Sequence, residues 1–212
     1  MAVKAKKNSA KSTQRDDPFW LVLDVHGVLV PNSERWILSK LAKELHMSKW
    51  TIYWRWFLNL RDAQLGKMSA KKFYEHVFQQ KISDAVFNRT IMRLYASRGL
   101  LSHTELRELS RLKKAGWKLA VLSDMNTAQA SFHRGKKHFA LFDQVNLSCK
   151  SGLMKPFSSA FTALEKRMRT RKDHIVFCDD MWMNTLSASL HGWKAVTIKG
   201  QAQLARFLKD LK

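Results

Sequence analysis

The alternation of apolar and polar positions divides the chain into two textures. "FWLVLDV" (19–25) is a short apolar run broken by an acid at Asp24, the pattern of an inner strand in a sheet covered on both faces. From about 31 to 115 the apolar spacing becomes three and four, as in "WILSKLAKELHM", "WTIYWRWFLNLRDAQLG", "SAKKFYEHVFQQ" and "ISDAVFNRTIMRLYASRG". That spacing predicts a helical insert, punctuated at Gly66 and Gly99, followed by a helix in "SHTELRELSRLKKAG" that returns the chain to the sheet. After Gly116 short apolar runs and helical patterns alternate. "WKLAVLSD", "FDQVNLS", "HIVFCDD" and "KAVTI" read as strands, with helices in "MNTAQASFHRGKKHF", "SSAFTALEKRMR", 184–191 and from about 201. Strands alternating with helices predict an α/β fold with a mainly parallel sheet. The expected organisation is an arm at 1–18, a core from 19–30 and 116–212, and an inserted helical cap with its return helix at 31–115.

Size and composition narrow the class. With 212 residues and 45% hydrophobic composition, the chain can bury one substantial core. No apolar run approaches the roughly 20 residues that cross a bilayer, and no secretory pattern follows the basic start, so the expected compartment is the cytosol. Cys149 and Cys178 have no framework or zinc-type spacing and are expected to be reduced and buried. Tyr53, Trp54, Trp56 and Phe57 fall in a helical segment, where aromatic residues more often build core than a ligand surface.

Charge adds a candidate partner. Lysine and arginine number 38 against 17 acidic residues, a formal charge of +21, so polyanions are expected to bind in a strongly salt-dependent way. Two concentrations stand out as candidate contacts to DNA or RNA: Lys4, Lys6, Lys7 and Lys11 in the arm, and Lys166, Arg167, Arg169, Arg171 and Lys172 in "KRMRTRK". The arm has too few apolar residues to offset chain entropy and is expected to be flexible.

The candidate chemistry lies where strands end. Asp24 ends the first strand, Ser123 and Asp124 a second, and Asp179 and Asp180 a third; in a parallel sheet these ends converge at one edge, where ligands usually sit. Ser and Asp after a strand also serve as helix N-caps. For the whole set, a hard, oxygen-bound cation is the more economical reading, because clustered carboxylates must repel, take up protons or hold a cation. Mg²⁺ suits few carboxylates and retained waters. The other histidines are scattered without zinc spacing. No phosphate-cradling GxxxxGK[ST], GxGxxG or GxSxG motif occurs.

Taken in order, four motifs resemble those of the haloacid dehalogenase-like (HAD) hydrolase superfamily across about residues 19–200. They are "DVHGVL" (24–29), "VLSD" (121–124), "KP" (155–156) and "FCDDMWMNTLSASLHG" (177–192). The resemblance implies a Rossmann-like core with a helical cap and a Mg²⁺-dependent phosphatase acting on a phosphate monoester, with a nucleotide or nucleic-acid end as candidate substrate. It implies that Asp24 is the nucleophile forming an aspartyl-phosphate. Asp24, the backbone carbonyl of His26 and Asp180 would bind Mg²⁺, with Asp179 and Asn184 supporting. Ser123 and the Gly27 N–H would hold phosphoryl oxygens, and Lys155 would offset their charge.

His26 departs from the pattern, which usually has a second aspartate there to protonate the leaving group and activate water. Histidine transfers protons but carries no negative charge in either state. Three outcomes stay open: His26 substitutes as acid and base, the site turns over slowly, or the scaffold mainly binds. The last corresponds to a weak or inactive HAD-like protein in a nucleic-acid-associated assembly. Dehalogenation would need no Mg²⁺, and the doubled acids at 179 and 180 argue against it.

Overall fold

The computed structural model describes residues 17–97 and 102–211; the arm lysines Lys4, Lys6, Lys7 and Lys11 therefore lie outside the described residues. Strand β1 (Trp20–Leu23) leads into the insert, whose helices are α1 (Glu34–Glu44), α2 (Lys49–Gln64), α3 (Ala70–Phe78), α4 (Asp84–Val86) and α5 (Arg93–Ala96), with a π-helical turn at Phe87–Met92 between the last two. The return helix α6 (His103–Lys114) then precedes β2 (Lys118–Ser123), α7 (Thr127–Gly135), β3 (Gln144–Leu147), α8 (Ser148–Ser151) and α9 (Ser158–Met168). The chain closes with β4 (Ile175–Asp179), α10 (Trp182–Leu190), β5 (Lys194–Thr197) and α11 (Gln201–Asp210). All pairings in the five-stranded sheet are parallel, in the order β3-β2-β1-β4-β5. This is the α/β architecture expected from the alternation.

The period of two in the strands builds the core on both faces. Leu21 and Leu23 of β1, with Leu119 and Val121 of β2 and Val176 and Cys178 of β4, join Leu109 and Leu112 of α6 and Leu204 and Leu208 of α11 in one cluster. Trp20 and Val22, with Ala120, Leu122, Ile175 and Phe177, face Phe161 and Leu164 of α9 and Ala188 of α10 in another. A β1 buried on both faces is why its sequence is continuously apolar. Cys149 and Cys178 are buried and unpaired. Among the described residues no helix is long and apolar enough to cross a membrane.

The insert has its own core, formed by Ile37, Leu38 and Leu41 of α1, Ile52 of α2 and Phe73, Tyr74 and Val77 of α3, among others. It is fixed over the sheet by polar cross-links. Ser148 Oγ donates to Gln64 O at 2.7 Å, Gln129 Nε2 to Glu34 Oε1 at 2.9 Å, and Ala70 N to Thr127 Oγ1 at 3.3 Å. Gly66 allows the close approach: a Cβ there would come within 2.3 Å of Cys149 O. One expectation is corrected. Trp54 and Phe57 are not core residues; Ile52 and Ala63 supply the buried face of α2, leaving those two aromatic rings exposed.

Candidate active site

Asp24 follows β1 directly, and its N–H continues the ladder to Cys178 O at 2.9 Å. The chain then turns tightly, with Gly27 N donating to Val30 O at 2.7 Å and Val30 N to Val25 O at 2.9 Å. Gly27 is required twice over: its φ is +89°, and a Cβ would fall 2.3 Å from Asp180 Oδ2. The turn brings the first and fourth motifs together at the carboxyl edge. Carboxylate oxygens of Asp24, Asp179 and Asp180 all lie within 4.8 Å of one another.

Lys155 sits in the middle of this cluster. Its Nζ is 2.5 Å from Asp179 Oδ2 and 3.1 Å from Asp24 Oδ1, all three side chains being buried. Burial works against the ammonium charge, but Asp24, Asp179 and Asp124 outweigh it and hold the lysine above its usual range. Asp179 is further committed: its Oδ1 accepts from Met181 N at 2.8 Å and Asn184 Nδ2 at 2.9 Å. The geometry thus separates the paired acids, with Asp179 orienting Lys155 and Asn184 while the Asp180 carboxylate faces the Gly27 turn. The helix-cap alternative fails for Ser123 and Asp124. Asn126 caps α7, accepting from the N–H groups of Ala128 and Gln129 while Gln129 Oε1 accepts from Asn126 N. Asp124 Oδ1 instead accepts from Lys155 N at 3.3 Å, and the buried Ser123 hydroxyl sits beside the Asp24 carboxyl, where it favours the charged form.

One ammonium does not balance this set. Burial, then the nearby Asp179, raises the Asp24 carboxyl to about 7 against the opposing pull of Lys155, and burial raises Asp124 to about 6. Asp180 is raised by burial and by Asp179. Four crowded carboxyl groups with hard oxygen donors and a buried hydroxyl beside them fit a divalent cation with an adjacent oxyanion.

His26 lines the same cavity as Asp24 and Asp180, and its ring also joins an arrangement absent from the sequence reading. Its Nε2 lies 3.3 Å from His133 Nε2, and His133 Nδ1 lies 2.8 Å from His138 Nδ1. Treating the other histidines as scattered was therefore incorrect for these two. Burial, then Lys155, lowers His26 to about 4, and burial followed by the neighbouring imidazoles lowers His133 to about 3, so both rings are neutral near pH 7. The available clue was topological: α7 follows the strand beside β1 and must pass near the loop that carries His26.

The basic run expected to contact DNA or RNA lies away from the carboxylate edge. Lys166 and Arg167 end α9, Arg169 caps it, and Arg171 and Lys172 lie just before β4. Thr170 Oγ1 donates to Pro18 O at 3.4 Å, and His174 Nδ1 is 2.9 Å from Asp17 O, so this run adjoins the start of β1. It lies at the amino edge of the sheet, a strand length of roughly 15 Å from the carboxylates. Arg171 and Lys172 are also ion-paired locally, with Asp173 and Glu165.

Replacing Lys155 tests the charge balance. Lys155→Met is expected to lower unfolding free energy by about 3–5 kcal/mol at pH 8, with a smaller loss at pH 5. Protonation favours the fold for a carboxyl whose folded pKa is raised, and that benefit disappears as pH rises toward 7 for Asp24. Urea denaturation at the two pH values measures it; an equal loss at both would contradict the assigned balance.

No family model matches the sequence, and no curated protein matches it. Solved structures do resemble the fold. A HAD family enzyme from Bacteroides thetaiotaomicron, in a magnesium complex, has a TM-score of 0.71 at 19% identity, covering 86% of this chain and 94% of its own. A predicted HAD-like family hydrolase from Porphyromonas gingivalis has a TM-score of 0.68 at 17% identity, covering 92% and 100%. A HAD phosphatase from Thermococcus onnurineus has a TM-score of 0.64 at 15% identity, covering 90% and 96%. At these identities the likeness establishes architecture: this chain has the HAD-like α/β fold.

Proposed function

We propose that this chain is a Mg²⁺-dependent phosphate-monoester hydrolase with Asp24 as its nucleophile. The observation that carries the reading is the convergence of Asp24, Asp180 and Lys155 beneath the cap, with the buried Ser123 hydroxyl at the same strand edge. The Bacteroides enzyme of like fold, crystallised with magnesium and inorganic phosphate, adds support.

Asp24, Asp180 and the His26 backbone carbonyl would hold Mg²⁺, while Asp179 and Asn184 set the acidic wall from behind. When bound, the ion supplies positive charge that offsets the phosphate and the crowded carboxylates. Ser123 and the Gly27 turn orient the phosphoryl group, and Lys155 adds fixed positive charge. An Asp24 oxygen attacks phosphorus, the phosphorus–oxygen bond to the leaving group breaks, and an aspartyl-phosphate forms. Water then attacks the same phosphorus, releasing phosphate and restoring the Asp24 carboxylate.

His26 fits the second half of this cycle better than the first. A neutral imidazole can accept a proton from water, but it brings no acidic proton to an alkoxide leaving near pH 7. Esters whose leaving group departs without protonation are the favoured substrates. The distance of the 166–172 run from Asp24 removes one route by which a nucleic-acid end would be presented there.

Asp24→Asn is expected to reduce phosphate release by roughly 10⁴-fold or more, as loss of a nucleophile does, while the protein stays folded by circular dichroism. Turnover at wild-type rate would exclude Asp24 from the bond-making step. His26→Asp is expected to raise the rate on alkyl phosphates relative to aryl phosphates by about 10²-fold, the low end of general-acid contributions. A leaving-group dependence and pH profile identical to wild type would remove His26 from proton transfer.

A further inference from the structure

Between the carboxylate edge and the cap lies a cavity of about 800 Å³. Its floor includes Asp24, Lys155 and Asp180, and the side formed by α2 is rich in aromatic rings. Trp50, Tyr53, Trp54 and Phe57 line it from α2, spaced three and four apart on one helical face. Ile52 and Ala63 are the buried residues of α2; Tyr53, Trp56 and Leu60 both pack against the insert core and line the cavity, while Trp50, Trp54 and Phe57 are outside that core. Trp50, Trp54 and Phe57 remain 77%, 55% and 64% exposed, and the Trp54 and Phe57 rings lie nearly parallel with centroids 6.1 Å apart. Met181 and Met183 also line the cavity, supplying polarizable thioethers that adapt to flat rings.

Charge restricts what can fill this space. Lys155 and Arg35 are its lysine and arginine lining groups, and Lys155 is already paired with Asp24 and Asp179. Little positive charge is left for a second phosphate or a polyanionic backbone. Glu34 Oε1, a candidate polar contact, already accepts from Tyr95 Oη at 2.7 Å and from Gln129 Nε2 at 2.9 Å. The aromatic side of the cavity offers a polyol mainly ring faces, and its Tyr53 hydroxyl is already engaged with Ser39 Oγ at 2.7 Å and Arg35 O at 3.0 Å.

We infer that the substrate is the phosphate monoester of a flat, uncharged, fused-ring aromatic alcohol, its rings against the α2 face and its single phosphoryl group at Asp24. This rests on the phosphatase reading and adds the identity of the leaving group. Aromatic faces over a reacting centre gain from both area and offset stacking, and one additional ring buries enough surface to change affinity by about tenfold.

Phosphate release with Mg²⁺ from 2-naphthyl, phenyl, decyl and glycerol phosphates tests it, with acetyl phosphate as a small reactive control. Naphthyl and phenyl leaving groups have similar basicity, so their ratio reports mainly on ring recognition. The expected kcat/KM for 2-naphthyl phosphate is at least tenfold above that for phenyl phosphate, and Trp54→Ala reduces this ratio, chiefly through KM. Release with phenyl or glycerol phosphate equal to or better than naphthyl overturns the inference, as does a preference for decyl phosphate. No release from any ester or from acetyl phosphate overturns the phosphatase reading and the inference with it. As a check independent of turnover, naphthalene-2-phosphonate is expected to quench tryptophan fluorescence of the Asp24→Asn protein at tenfold lower concentration than phenylphosphonate. Equal concentrations for the two phosphonates count against the inference.

Discussion

The contact on which the site depends is the Lys155 ammonium between Asp24 and Asp179, at 3.1 Å and 2.5 Å. It joins the loop before α9 to the ends of β1 and β4, bringing three distant stretches of sequence to one point. Its single charge is insufficient for Asp24, Asp124, Asp179 and Asp180 together, which is why burial leaves Asp24 raised to about 7 and Asp124 to about 6. A site with this imbalance is stable with protons or with a cation, and its deprotonated, cation-free form is costly. The same imbalance suits phosphoryl chemistry, where positive charge must be present beside a carboxylate that attacks an anion.

The chain's order made much of this readable. Asp24, Ser123 and the Asp179–Asp180 pair each end an apolar run, and a parallel sheet necessarily gathers such ends at one edge. Gly27 was legible as a turn, but its second constraint, the Asp180 carboxylate within reach of any Cβ, is a tertiary fact. The division of labour between Asp179 and Asp180 was equally hidden, because it depends on which carboxyl meets Lys155 and Asn184. The basic run at 166–172 immediately precedes β4, so its position at the amino edge followed from the same topology that placed the acids at the carboxyl edge.

Two features were illegible for different physical reasons. His26 meets His133 across 107 residues of sequence, with His138 beside it, and no local spacing encodes such a contact. Helix α2 carries apolar residues on two faces, and periodicity alone does not rank which is buried. Packing decides it: Ile52 and Ala63 close the cap core, leaving Trp50, Trp54 and Phe57 over the cavity. Both features lie around the His26 position, where the sequence departs from the usual motif.

Magnesium titration followed by thermal unfolding tests the central charge balance most directly. At pH 7.5 millimolar Mg²⁺ is expected to raise the melting temperature of the wild-type protein by several degrees, since a ligand bound only by the folded state stabilises it in proportion to RT ln(1 + [L]/Kd). Asp180→Asn should abolish most of that shift. A melting temperature that does not respond to Mg²⁺, or one that rises equally in Asp180→Asn, would contradict the assignment of these carboxylates to a cation.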